Sequence, residues 1–139
     1  MWRIMTNRPL VYIASPYTKG DPCVNTRFQC QVFDELLGDG LVLPYAPLIS
    51  HFQHTMFPRP YDVWIKYDLD FIRRANFSAC LRLAATSDRI GLSGDKFYYV
   101  NESSGADGEE RLFNELKKPV FYSKEELYVW VRSKAGMLC

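Results

Sequence analysis

Two carboxylates set among apolar residues are the strongest candidates for chemistry in this chain. Glu109 stands three and four residues before Leu112 and Phe113, so on a helix it shares the apolar face that they form with Leu116. A carboxylate turned toward a core is costly unless it is paired or used. Trp64, Asp68, Ile72 and Ala75 follow one another at spacings of four, four and three, which places Asp68 inside a second apolar stripe. Two inward carboxylates point to nucleophilic and acid–base work on a sugar. Glu110 and Glu115 read as surface charges, and Asp70 as an exposed partner for Arg74.

The run Ser103-Ser104-Gly105-Ala106-Asp107-Gly108 leads directly into Glu109 and opens a helix predicted over 107–118. Hydroxyls, small residues and the free N–H groups of a helix start make a candidate phosphate seat, and equally an ordinary capped helix entry. The positive end of the helix dipole is expected to keep Glu109 ionised, which suits a nucleophile more than a proton donor. Tyr12 on the first strand, Ser15 and Tyr17 just after it, and Trp64 beside Asp68 could orient a carboxylate or contact a substrate. For the aromatic residues, core and rim packing is the plainer explanation. His51 and His54 flank a rim loop, as local hydrogen-bonders first and substrate contacts second.

Positioning these groups falls to an alternating set of elements. Strands are predicted at Leu10–Ala14, 41–43, 77–83 and 119–122, and helices at 23–37, 61–76, 107–118 and from a Ser123–Glu126 capping box to 133. Parallel strands need crossover connections, so this order predicts an open α/β sandwich: one domain over 1–139, a parallel sheet with helices on both faces, of the flavodoxin or Rossmann kind. Ligands of such sheets collect beyond the carboxyl ends of the strands. Residues 15–19, 45–54, 84–102 and 103–109 should therefore share one rim, with Lys96-Phe97-Tyr98-Tyr99 as a hairpin or lid over it.

Composition narrows the partners. With 139 residues, 47% hydrophobic and 24% charged, the chain supports a single core. Seventeen Lys and Arg against sixteen Asp and Glu give a net charge of +1, and the basic residues are scattered, which argues against nucleic acid. Cys23, Cys30, Cys80 and Cys139 form no CxxC pair and do not cluster in sequence with His51 or His54. Neither a zinc site nor a disulfide framework is expected, only reduced thiols in a cytoplasmic protein. The N-terminal apolar run is just LVYIA, too short for a signal peptide or a membrane span, and no segment nears the ~20 apolar residues of a transmembrane helix.

Several of these segments are familiar in combination. Tyr12-Ile13-Ala14-Ser15-Pro16-Tyr17-Thr18, Pro47-Leu48-Ile49-Ser50-His51, Trp64-x-x-x-Asp68-Leu69 and Ser103-x-Gly105-Ala106-x-x-Glu109, with Lys118-Pro119-Val120 downstream, resemble the nucleoside 2-deoxyribosyltransferase family, and most of all its small bacterial and phage branch. The similarity spans roughly 10–121, and its motifs are specific together and weak singly. The resemblance implies that Glu109 attacks the anomeric carbon and carries a covalent sugar, that Asp68 assists the leaving base, and that Tyr12 hydrogen-bonds the nucleophile. Ser103, six residues before Glu109, matches the position where nucleotide hydrolases of that superfamily face a 5'-phosphate and transferases carry an aspartate. Asn76 departs from the pattern, since an aspartate is expected there, and residues 84–102 are longer than usual for the small branch.

The leading expectation is an N-glycosidase of nucleoside 5'-monophosphates. Glu109, Asp68 and Tyr12 are catalytic in it, and Ser15, Tyr17, Trp64, Ser103, Ser104, Gly105, Ala106 and His51 bind substrate. One alternative is a nucleoside 2-deoxyribosyltransferase. Another is a nucleotide-binding sensor without turnover, disfavoured because a charged Glu109 repels a phosphate. None of these needs a metal or organic cofactor. The family implies a homodimer or larger assembly, and the aromatic segment 122–130 is the expected contact.

Overall fold

The computed structural model describes residues 7–83 and 104–136, with side chains up to residue 134. Four strands, β1 (Leu10–Ala14), β2 (Leu43–Tyr45), β3 (Ala79–Arg82) and β4 (Val120–Phe121), form one parallel sheet in the order β2-β1-β3-β4. Helices α1 (Pro22–Asp39), α2 (Ser50–Met56), α3 (Tyr61–Ala75), α4 (Ser104–Glu115) and α5 (Lys124–Gly136) connect and cover them. The chain is thus an open parallel α/β fold, as its alternating pattern implies. Among the described residues no helix is long and apolar enough to cross a membrane.

Alternation along the two central strands divides the core into two layers. Val11, Ile13, Ala79 and Leu81 face α1 and α5, where Phe28, Val32, Leu36, Leu127 and Val131 pack on them. Tyr12, Ala14 and Cys80 face the other way, against Ile72 of α3 and Leu112 and Phe113 of α4. β1 is buried from Val11 to Ala14, as a strand covered on both faces must be. Each large apolar side chain withdrawn from water contributes about 1.5–3 kcal/mol, so these layers fix which way Tyr12 points.

Local chemistry sets the ends of the elements. Asp21 caps α1 by accepting from the N–H groups of Cys23 and Val24 at 2.8 and 3.3 Å, and Gly40 ends the helix at φ 73°. Ser123 Oγ caps α5 by accepting from the Glu126 N–H at 3.1 Å, while the Glu126 carboxylate reaches past Ser123 to the N–H of Tyr122. Asn76 ends α3 in the left-handed region, at φ 54°, and accepts from Lys118 Nζ at 3.4 Å. Asparagine is one of the few residues other than glycine that adopt this backbone readily.

Several expectations are corrected. β2 lies two residues later than the predicted 41–43 and contains Pro44, which an edge strand tolerates because its outer side needs no N–H donor. The 45–54 stretch is not a simple loop: a 3-10 turn, Pro47–Ile49, leads into α2, which carries both His51 and His54. α4 begins at Ser104, three residues before the predicted start at 107. Asp70 pairs with Arg73 at 3.3 Å instead of Arg74, and Leu116 is 38% exposed instead of closing the apolar stripe. Glu110 is no free surface charge, since it is half-buried and lies 3.7 Å from Arg82 Nε. The 122–130 segment is not an exposed aromatic surface either. Tyr128 is buried and Trp130 packs on Phe121 at 5.3 Å, which leaves Tyr122 as its one exposed aromatic residue.

Candidate active site

A cavity of about 180 Å³ lies beyond the carboxyl end of β1, beside the β1–β3 pair at the centre of the sheet. This is the point where the chain leaves β1 for one edge of the sheet and β3 for the other, the usual seat of a ligand in such folds. Glu109 and Asp68 both line it, from α4 and α3 respectively. Ser15 and Tyr17 line it from the loop after β1, Trp64 from α3, His51 from α2, and Gly105 and Ala106 from α4. Ser103 and the proposed lid at Lys96-Phe97-Tyr98-Tyr99 lie outside the described residues, as does the Ser104 side chain. Gly105 and Ala106 belong to the first turn of α4 instead of a preceding loop. The N–H of Gly105 is among the four that a helix start leaves without intrahelical acceptors.

Glu109 is 7% exposed, and its position in the second turn of α4 changes the electrostatic balance expected from sequence. The dipole is worth about 0.3–1 kcal/mol and fades within the first turn. Burial of a carboxylate shifts its pKa by up to ~3–5 units, each worth about 1.36 kcal/mol. Burial wins. It raises Glu109 from 4.5 to about 8, the charge of Asp68 adds to the rise, and the Tyr12 hydroxyl and the Arg82 guanidinium oppose it. Burial likewise raises Asp68 from 3.8 to about 7. Burial and the charge of Asp68 thus favour the protonated form of Glu109, against the ionised form expected from the helix dipole.

Tyr12 lies beneath the cavity floor, fully buried in the middle of the sheet. Its ring sits in an aromatic box, edge-on to Phe77 at 5.2 Å and 5.8 Å from both Tyr45 and Phe113. The box leaves the hydroxyl facing Glu109, whose charge, after burial, is the largest influence holding the phenol protonated. Tyr12 Oη and Glu109 Oε2 are both buried, and neither completes a hydrogen bond of normal geometry among the described residues. They form a spare donor and a spare acceptor within one environment. Tyr45, pushed up to about 12 by burial and by Tyr67, Asp68 and Glu109, extends the same cluster.

The histidines are tied into the rim. His51 Nδ1 shares a 2.5 Å hydrogen bond with Tyr17 Oη, and its Nε2 lies 3.9 Å from Cys23 Sγ. The fold thus brings a cysteine and a histidine together that are 28 residues apart in sequence. Trp64 Nε1–H donates to His54 Nδ1 at 3.0 Å and the Arg59 N–H to the same atom at 3.3 Å. The proton of a neutral His54 therefore sits on Nε2. Cys23, Cys30 and Cys80 are free thiols, and no group of three or more His, Cys, Asp or Glu residues that could hold a metal is found among the described residues.

Other residues escaped the sequence reading. Gln29, fully buried on α1, donates to Ile13 O at 3.2 Å and Ser15 Oγ at 2.8 Å and accepts from the Leu48 N–H at 2.8 Å. One side chain thereby fastens the end of β1 to the turn before α2. Tyr61 and Ile65 also line the cavity, and a Cβ at Gly105 would come within 2.7 Å of Tyr61 Oη and 2.9 Å of Ile65 Cδ1. A side chain at Gly105 would therefore press on the tips of two α3 side chains that wall the cavity. Comparisons with protein-family models, curated proteins and solved structures find no match to this chain.

Proposed function

We propose that the chain hydrolyses the base–sugar bond of a nucleoside 5'-monophosphate, 2'-deoxy sugars included, through a covalent glutamyl-sugar intermediate. One observation carries this: Glu109 and Asp68, held on different helices, enter the same cavity. In the first step the ionised Glu109 attacks C1' as the C–N bond breaks, and the Asp68 carboxyl gives its proton to the leaving base. In the second, the Asp68 carboxylate takes a proton from water, whose oxygen displaces Glu109 from C1'.

Each step starts with one carboxyl charged and the other neutral. A buried pair that holds on to a proton near neutrality suits that requirement. The Tyr12 hydroxyl is placed to donate to Glu109 in its charged form. The N–H group of Gly105 offers a seat for the phosphate, to which Ala106, Ser103 and Ser104 are assigned as well. The cavity is smaller than the ~300–1,000 Å³ common for drug-sized ligands, so a whole nucleotide extends through its mouth. A homo-oligomeric state and a cytoplasmic location belong to the same proposal.

One observation favours a second reading. With Glu109 raised to about 8, the cavity carries less negative charge than a pair of carboxylates implies, so phosphate binding without turnover is less disfavoured than the sequence suggests. Quenching the protein during incubation with nucleoside monophosphates and measuring its mass separates the two. A sugar-phosphate adduct on the peptide containing Glu109 supports the glycosidase. Thermal stabilisation by nucleotide with neither adduct nor free base supports the sensor. Formation of a new nucleoside on adding a second free base identifies a transferase.

A further inference from the structure

Arg82 is the last residue of β3 and is only 5% exposed, yet it carries a full positive charge. Its strand position puts it on the same side of the sheet as Cys80, beneath α4. Nη2 donates to Asp107 Oδ1 at 3.0 Å, Nε lies 3.7 Å from Glu110 Oε2, and Nη1 donates to the carbonyl of Leu83. Glu110 is held in turn by the hydroxyl of Tyr122, just past β4. Asp107 and Glu110 are three residues apart and share one side of α4, and Glu109 stands about 100° around the helix from Glu110.

We propose that Arg82 is the positioning residue for Glu109: through a hydrogen bond to Asp107 and a looser ion pair with Glu110, its buried guanidinium sets the rotation of α4 and so aims Glu109 into the cavity. A planar fork with several donors suits this task, because it fixes an orientation where a single ammonium fixes only a distance. The same cation acts on Glu109 through space. Among the described residues, the groups that influence Glu109 or lie beside it are Tyr12 on β1, Tyr45 on β2, Cys80 and Arg82 on β3, Asp68 on α3, and Asp107 and Glu110 on its own helix, while His51, His54 and Arg59 line the same cavity. Arg82 is the one cation among the described residues that acts on the charge of Glu109, and with Tyr12 it opposes the rise that burial and Asp68 impose. The proposal rests on the glycosidase reading for its catalytic consequence but not for its geometry.

The test follows the carboxyl carbon of Glu109 by NMR in glutamate-labelled protein, with the resonance identified by its loss in Glu109→Gln. In Arg82→Gln, shown to be folded by circular dichroism, the titration midpoint of Glu109 is expected to rise by about one unit. In Arg82→Lys, which keeps the charge and loses the fork, the midpoint is expected to return most of the way. Where base release is measurable, kcat of the Lys variant is expected to fall roughly 10-fold or more with KM little changed, as a misaimed nucleophile implies. A folded Arg82→Gln protein with an unmoved midpoint overturns the proposal. Should Arg82→Gln not fold, the Lys variant decides: titration and kcat both identical to wild type overturn it. A protein that releases no base, yet whose Glu109 midpoint moves in Arg82→Gln, refutes the glycosidase and leaves the positioning role standing.

Discussion

Asp68 of α3 and Glu109 of α4 line the same cavity, and the charge of Asp68 adds to burial in holding a proton on Glu109. Because one reaches the cavity from each helix, the packing of α3 on α4 determines their relation. At Gly105 the two helices meet, and a side chain there would press on the tips of Tyr61 and Ile65.

Stability should carry the signature of this pair. Glu109 has a folded-state pKa of about 8 against an ordinary 4.5, so between those values the folded protein binds a proton that the unfolded chain releases. The stability this gives is complete below the lower value and is lost as pH rises through the upper one. Asp68, raised from 3.8 to about 7, acts in the same direction. The melting temperature of wild type is expected to drop relative to Glu109→Gln as the pH climbs from about 5 to about 8. Parallel melting curves for the two proteins across that range would contradict the assignment.

Asp68→Asn is expected to lower kcat for base release by ~10²–10⁴-fold, the usual worth of a general acid. Its effect should shrink for a substrate whose leaving group departs without protonation. An equal loss for good and poor leaving groups would remove Asp68 from the acid role.

Gly105→Ala sets two effects against each other. Alanine gains about 1 kcal/mol of helix propensity over glycine, while its methyl group displaces Tyr61 Oη and Ile65 Cδ1. Both of these atoms are side-chain tips that can swing aside, so the melting temperature should change little. Both residues also wall the cavity, so KM should rise. An unchanged KM would show that this wall does not touch the substrate.

Gln29→Leu keeps the bulk and removes the hydrogen bonds. The Leu48 N–H loses the acceptor that Gln29 provides, and Ser15 Oγ loses its donor, a change worth about 1–3 kcal/mol. Denaturant titration should show that loss. A stability equal to wild type would mean that solvent takes over both groups.

What the sequence discloses of this site is what short-range spacing encodes. Glu109 is legible from Leu112 and Phe113, and Asp68 from Trp64 and Ile72, because i+3 and i+4 neighbours report a helix face directly. The central strand β1 is legible as an unbroken apolar run. Arg82 and Gln29 are not legible, since their meaning comes from partners brought near by the fold: Asp107 is 25 residues beyond Arg82, and Leu48 is 19 beyond Gln29. β2 is misplaced because Pro44 reads as a strand terminator until its place on the sheet edge is known. The burial that favours a protonated Glu109 is not legible either, because a dipole can be inferred from helix position, whereas desolvation depends on everything packed around the side chain.

The most direct measurement compares free base released from a panel of nucleoside 5'-monophosphates by wild type and by Glu109→Ala, both verified as folded. Wild type is expected to release base from at least one nucleotide, at least roughly 10³-fold faster than the variant. Release by wild type no greater than that of Glu109→Ala would mean that Glu109 is not the nucleophile and that the carboxyl pair serves some other end.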